Sequence, residues 1–372
     1  MVGKMINKLW WFVSAFLIFS CWGCGGDAQR RIREGLNDKI VFLCSDAICT
    51  INPDGTDLKL VVPSEKGGPF SNPSWSPDKR KIASNCKVER RNRIMMANFD
   101  GSGLRILGLP KPQRKKKKPG ELRVEISEDY DLYFKGWSPD GKYILYEYPV
   151  IDANFAGVME RKGKIMGEFG GGEPRFLGRD KIVYVAYHGS VFTVGTDIYS
   201  APIKGKDKQN LTKDGKIAYY GPVGSPDGEG IAFGFMGPGA NNNELWIMNP
   251  DGSNRKRLTC NSDDFVDQYA TVISFSPDGT KILFLSAQHD SYNSRIYPKG
   301  SIYVANADGS ELKKVIDGIV KSRGGASWSP DGKQIVFTSD KDGNDELYIV
   351  NADGTGLRRL TNNSTADYCP DW

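Results

Sequence analysis

Histidine is almost missing from this chain, with only His188 and His289 among 372 residues. A histidine-rich metal centre of the catalytic-zinc type is therefore excluded. The sequence also holds no His-Glu-x-x-His, no Gly-x-Ser-x-Gly elbow and no phosphate-binding Gly-x-x-x-x-Gly-Lys-Ser/Thr. Zincin proteases, elbow-type serine hydrolases and P-loop enzymes drop out with them. Long apolar runs are scarce too. The one continuous stretch, Leu9 to Phe19, is too short to cross a bilayer. Net charge is +5, but residues 111–118 alone carry six positives. The remainder is close to neutral, so a general nucleic-acid surface is not indicated.

What is there instead is glycine and proline, 43 and 20 of them, with 26% charged residues. That composition suits a turn-rich all-β domain. At the front, Lys4 and Lys8 precede the apolar run, which ends near Cys21 and Cys24. A basic start, an apolar core and small residues before a cut read as an export signal. A cysteine directly after it suggests a lipoprotein whose thiol is acylated. Ile18-Phe19-Ser20-Cys21 fits that pattern better than the stretch before Cys24, where Trp22 is bulky. The expected division is residues 1–20 as signal, 21–38 as tether and 39–372 as the folded domain. An ordinary cleaved signal or a retained anchor is the alternative. Export implies an oxidising compartment. Cys44 and Cys49 could face each other across a hairpin, or all five downstream cysteines could be isolated thiols. None of those five has the Cys-x-x-Cys spacing of a structural zinc site.

The most informative feature is repetition. Ser-Pro-Asp recurs at Ser76, Ser138, Ser225, Ser276 and Ser329, at intervals of 62, 87, 51 and 53 residues. An aromatic residue precedes most copies and an apolar run such as Ile335-Val336-Phe337 follows. A degenerate unit from Pro174-Arg175-Phe176 to Leu211-Thr212 fills the long interval. Asn-x-Asp-Gly recurs at Asn52, Asn98, Asn249, Asn306 and Asn351. Proline presets φ and glycine tolerates positive φ, so both motifs mark tight turns between short strands. A period of this length with four strands per unit defines a β-propeller. Residues 39–63 hold strands two to four of a unit without its first, and Cys369-Pro370-Asp371-Trp372 looks like a first strand alone. Joining them closes the ring by pairing the two ends of the domain. Seven blades result, or six if the unit at Phe176 is incomplete.

The run Trp-Ser-Pro-Asp-Gly-Lys-x-Ile-x-Phe, followed by Leu-Tyr-Ile-Val-Asn-Ala-Asp-Gly and Arg-Leu-Thr, resembles the TolB-type propeller repeat. The resemblance covers roughly Lys39 to Trp372. It implies an exported, periplasmic protein with a protein partner of the peptidoglycan-associated type. TolB proteins carry an α/β domain ahead of a six-bladed propeller, whereas about 17 residues separate Cys21 from the first strand here.

The Ser-Pro-Asp and Asn-x-Asp-Gly turns share one face and repeat one chemistry. Every irregular insertion falls on the other face, where binding residues are expected. The candidates there are His289, Tyr292, Arg295 and Tyr297 in one loop, His188 in a second, and Asp263 and Asp264 in a third. Lys115, Lys116, Lys117 and Lys118 form a basic arm suited to anionic lipid, or simply a solvated loop. Asp340-x-Asp342-Gly-Asn344-Asp345 has oxygen density but not calcium-loop spacing, so hairpin chemistry accounts for it. No cofactor, metal or nucleic acid is expected. The function expected is non-catalytic: a lipid-anchored scaffold at the outer membrane that binds an envelope protein or glycan. The alternative is a propeller lyase or hydrolase acting on an envelope or extracellular polysaccharide.

Overall fold

The computed structural model describes residues 38–108, 130–150, 153–188, 195–214, 217–237, 244–259, 269–287, 299–321 and 325–372. They form seven four-stranded antiparallel sheets. Blade 1 joins Asp367–Asp371 to Ile40–Cys44, Ala47–Ile51 and Lys59–Val62. Blades 2 to 7 follow in chain order, with first strands Ser71–Trp75, Tyr133–Trp137, Gly172–Leu177, Ala218–Gly224, Tyr269–Phe275 and Ala326–Trp328. The unit at Phe176 is a complete blade, which leaves seven and removes the six-bladed alternative.

Side chains alternate across a strand, yet the second and third strands here carry consecutive buried apolar residues, as in Ile335-Val336-Phe337 and Ile40-Val41-Phe42-Leu43. The reason is that each blade is covered on both faces. In blade 7, Ile335 and Phe337 pack toward blade 6 while Val336, between them, packs toward blade 1. In blade 1, Ile40 and Phe42 face blade 7, and Val41 and Leu43 face blade 2. The core is thus a ring of inter-blade layers, and burying both parities requires the continuous Ile-Val-Phe runs.

The Ser-Pro-Asp repeat has a specific physical cause. In all five copies the serine is buried and its hydroxyl does two jobs. Ser329 Oγ donates to Asp331 Oδ1 at 2.6 Å and accepts the Gln334 N–H at 2.9 Å. Ser76 repeats this with Asp78 and the Lys81 N–H, at 2.6 and 2.9 Å. A buried hydroxyl between turn and strand must be paired, and only Ser with Asp two residues on achieves that within one hairpin. The Asn-x-Asp-Gly turns are equally stereotyped. In each, a Ser or Thr hydroxyl donated to Asp54, Asp100, Asp251, Asp308 or Asp353 holds that carboxyl below its ordinary range. Gly252 shows why glycine ends the motif: its φ is +86°, and a Cβ there would lie 2.4 Å from the Leu211 carbonyl of the preceding blade.

Closure occurs as the sequence implies. The C-terminal strand pairs with the first strand of the domain, Val41 with Asp371 and Cys44 with Asp367. Lys79 stands where the other four Ser-Pro-Asp copies carry glycine. It adopts φ +55°, and its ammonium lies 5.4 Å over the Trp75 ring while acting on the Asp371 carboxylate. The one turn without glycine therefore faces the closing seam. Cys44 and Cys49 are disulfide-bonded across the adjoining hairpin, with Cα atoms 5.9 Å apart. Cys86 is buried and Cys369 half-buried, and neither takes part in a disulfide.

Two outcomes follow for the seam. Deleting residues 367–372 uncovers the edge of Ile40–Cys44 and removes inter-blade packing. The truncated protein should melt well below the parent or aggregate; an unchanged thermal melt would show that the seam bears no load. Asp367 is fully buried, and that burial, with Glu346 close by, pushes its carboxyl up to about 6 against the hydrogen bonds of Asn363 and Thr361. The folded state then holds this proton more tightly than the unfolded state, whose value is near 4. This contribution is present below pH 4 and is lost as pH rises through 6. Asp367→Asn should match the parent near pH 4 and exceed it by roughly 2 kcal/mol above pH 7. Parallel denaturation profiles across that range would contradict a buried-charge penalty.

Candidate functional site

The turn chemistry divides the molecule into two unlike faces. Ser-Pro-Asp and Asn-x-Asp-Gly hairpins occupy one. Second-to-third strand connections and inter-blade connections occupy the other. The strand ends that flank connections of this second class include Leu107 and Tyr133, His188 and Gly195, Met236 and Glu244, and Ala287 and Lys299. Cys21, Cys24, Lys115, Lys116, Lys117, Lys118, Asp263, Asp264, His289, Tyr292, Arg295 and Tyr297 lie outside the described residues. His188 ends the strand Lys181–His188 and pairs with Gly195 in the neighbouring strand, which places it at the loop-face end of blade 4. The acidic hairpin at Asp340 is a turn: Asp342 accepts from the Tyr348 hydroxyl at 2.7 Å. No group of metal-binding residues occurs among the described residues.

Beneath the loop face, the first strands surround a channel. A first strand is an edge, and its inward N–H groups need acceptors. The neighbouring blade supplies them. Asn85 Oδ1 accepts from the Phe134 N–H at 2.6 Å, and Glu147 Oε2 from the Glu173 N–H at 3.1 Å. Glu173 Oε2 accepts from the Gly221 N–H, and Asp371 Oδ2 from the Trp75 N–H at 2.8 Å. Ser327 Oγ accepts from the Trp372 N–H at 3.2 Å. Each such bond spares a buried amide a penalty of about 1–3 kcal/mol. The channel carboxylates Glu147, Glu173 and Asp371 are therefore committed to holding blades together. Glu147 also pairs with Lys135 Nζ at 2.9 Å.

Most first strands carry a bulge on the way down the channel, as in Ser71/Ser74, Phe134/Gly136 and Gly172/Arg175. Asn72, Glu173 and Cys369 turn through it with φ of 51°, 54° and 53°, each followed by proline. A bulge re-aims the next side chains. Pairing with the second strand puts seven residues at one level: Asp371, Ser74, Gly136, Arg175, Val223, Ser274 and Ser327. Five of these are short and uncharged. Arg175 is the one long side chain at that level, in blade 4, and Asp371 stands on blade 1. Between them is a cavity of about 420 Å³ lined also by Asn72, Tyr133 and Lys135. Burial lowers the Arg175 guanidinium from its ordinary value, while Glu173 and Glu147 oppose that shift. Nearer the loop face, Tyr187 and Met236 are exposed on blades 4 and 5. Burial and the same two carboxylates raise the Tyr187 hydroxyl.

The channel residues were not singled out by the motif reading, although a signal was present. Arg175 and Asp371 replace the serine that precedes the aromatic residue in Pro73-Ser74-Trp75. A second groove, about 820 Å³, lies on the turn face between blades 6 and 7. Its Asn306 and Asn351 side chains are already used within their own turns.

Fold and channel together define a seven-bladed β-propeller protein. No family model matches the chain. It is 25% identical to an uncharacterized protein of Agrobacterium fabrum over 252 residues, 54% of this chain and 82% of the relative. A 48-residue stretch is 40% identical to the Tol-Pal system protein TolB of Anaeromyxobacter dehalogenans, spanning 13% of this chain and 11% of that protein. Among solved structures, TolB from Acinetobacter baumannii matches with a TM-score of 0.51 at 15% identity, over 89% of this chain and 81% of that one. An oligogalacturonate lyase from Vibrio parahaemolyticus matches with 0.55 at 13%, over 87% and 84%. The propeller is TolB-like in fold, a fold that carries both a Tol-Pal system protein and a lyase.

Proposed function

We propose that this protein is a non-catalytic, lipid-anchored component of the cell envelope that binds a partner through its loop face. The partner class is an envelope protein, of the peptidoglycan-associated type, or a glycan. One observation carries the reading: irregular connections gather on a single face of an otherwise stereotyped scaffold, above a channel whose carboxylates are occupied. Glu147, Glu173 and Asp371 each accept a backbone N–H across a blade junction. A general acid or base needs a proton site free to exchange with substrate, and these groups are structural acceptors. Exposed Tyr187 and Met236 at the rim are residue types that interfaces favour. The short stretch shared with a Tol-Pal protein supports an envelope setting, and the Leu9–Phe19 run with Cys21 supports export and acylation.

The lyase reading has its own support in the fold shared with an oligogalacturonate lyase and in a charged channel. Turnover of an acidic polysaccharide by the purified protein would favour it over the binding reading.

For partner binding, Tyr292→Ala with Arg295→Ala should reduce capture from envelope extract while leaving the melting temperature unchanged. Asp308→Ala, which removes the acceptor for Ser310 on the turn face, should lower the melting temperature and leave capture intact. Capture unaffected by the loop changes would sink the assignment of this face. For anchoring, Cys21→Ser should release the protein from membranes into the soluble fraction, with Cys24→Ser retained. Retention of both variants would point to an uncleaved anchor.

A further inference from the structure

Among the described residues, the channel holds a guanidinium most of whose donors the scaffold does not use. The inner-edge amides are matched by Asn85, Glu147, Glu173, Asp371 and Ser327, as described above. Lys135 is matched by Glu147 at 2.9 Å. Arg175 is different. Among the described residues its guanidinium donates one hydrogen bond, to the adjacent Pro174 carbonyl at 3.0 Å, and forms no ion pair. A guanidinium presents five N–H donors in a planar fork, so most of this fork faces the cavity. The nearby carboxylates act on it only through space, since both are held on backbone amides.

Its placement is built rather than incidental. The bulge at Glu173-Pro174 fixes the backbone just before it. At the same level five of the other six blades present serine, glycine or valine, which leaves the space the arginine enters. Opposite stands Asp371, whose Oδ2 is held by Trp75 and whose Oδ1 meets Ser327 at a long 3.4 Å. A planar fork matches a planar oxyanion with two coplanar oxygens. The cavity of about 420 Å³ is at the small end of ligand cavities and is open to solvent along the channel. The desolvation of an anion held here is offset by the donors of the fork.

We infer that the channel is a binding site for a small carboxylate-bearing molecule, with the carboxylate on the Arg175 fork and its polar groups toward Asn72, Tyr133 and Asp371. This site is separate from the loop-face partner surface, so either can fail without the other. The chemistry is shared by sugar acids and by free peptide termini, and the test separates them.

Calorimetric titration of the propeller with sodium glucuronate, glycylglycine, acetate and inorganic phosphate reads the site directly. Binding of at least one carboxylate is expected, weakened tenfold or more in Arg175→Gln. Arg175→Lys should not restore it, because an ammonium has no fork. Glucuronate alone would assign a sugar acid, and glycylglycine alone a peptide terminus. Absence of binding by every carboxylate, or binding equal in parent and Arg175→Gln, would overturn the proposal, as would binding of phosphate alone. Should Arg175→Gln fail to fold, phenylglyoxal labelling of the parent gives an independent reading. Mass spectrometry should find Arg175 modified, and the binding carboxylate should block that modification severalfold. Modification unaffected by any carboxylate would also overturn it.

Discussion

Ring closure is the constraint on which the rest of this structure depends. A propeller blade has one covered and one uncovered inner edge until its neighbours are in place, and a chain of blades has two open ends. Here the first three strands of the domain form a blade only when Asp367–Asp371 arrives as the fourth. That strand brings Asp371 to the Trp75 amide and Trp372 to the layer between blades 7 and 1. Both layers that flank blade 1 contain residues from opposite ends of the domain. Local hairpins can form early, but the ring core is complete only with the longest-range contact in the domain.

A closed ring also explains the division of labour between the faces. Repeated turns on one side use buried serines and aspartates to join strands, and their geometry leaves little room for variation. Arg358 donating to the Pro53 carbonyl, and Gly252 against Leu211, show these turns also gripping the neighbouring blade. The opposite side also bridges blades, as where the Leu132 N–H donates to the Asn92 carbonyl at 2.9 Å, but it does so without a repeated motif, and its connections differ in length. The scaffold is rigid where it repeats, which is the arrangement that lets loops carry recognition.

The channel between the faces is neither an empty pore nor a simple core. Its carboxylates satisfy inner-edge amides that closure leaves over, and Glu147 also pairs with Lys135. That ties these carboxylates to the scaffold, which is the premise of the binding role proposed above. It leaves Arg175 as the group whose donors exceed what the fold requires.

Much of this was legible in the order of residues, because the fold is a local grammar repeated. Each Ser-Pro-Asp and Asn-x-Asp-Gly turn forms within a few residues of itself, so strand order and even the seam at Cys369–Trp372 can be read without tertiary information, while the choice between seven and six blades waited on the unit at Phe176. The partnering of Cys44 with Cys49 stayed open in the sequence, since a spacing of five permits a hairpin but does not specify its register; pairing of Phe42 with Cys49 decides it. Lys79 stands at a position where the other copies carry glycine, and only folding brings the distant Asp371 to its ammonium. Arg175 and Asp371 lie 196 residues apart in the chain, and nothing local relates them. They share a level only because seven first strands, six of them bulged, converge on one axis. Sequence alone determined the units, since turn chemistry acts over short distances. Tertiary structure alone decided the site, since it is made of one residue from each of several units.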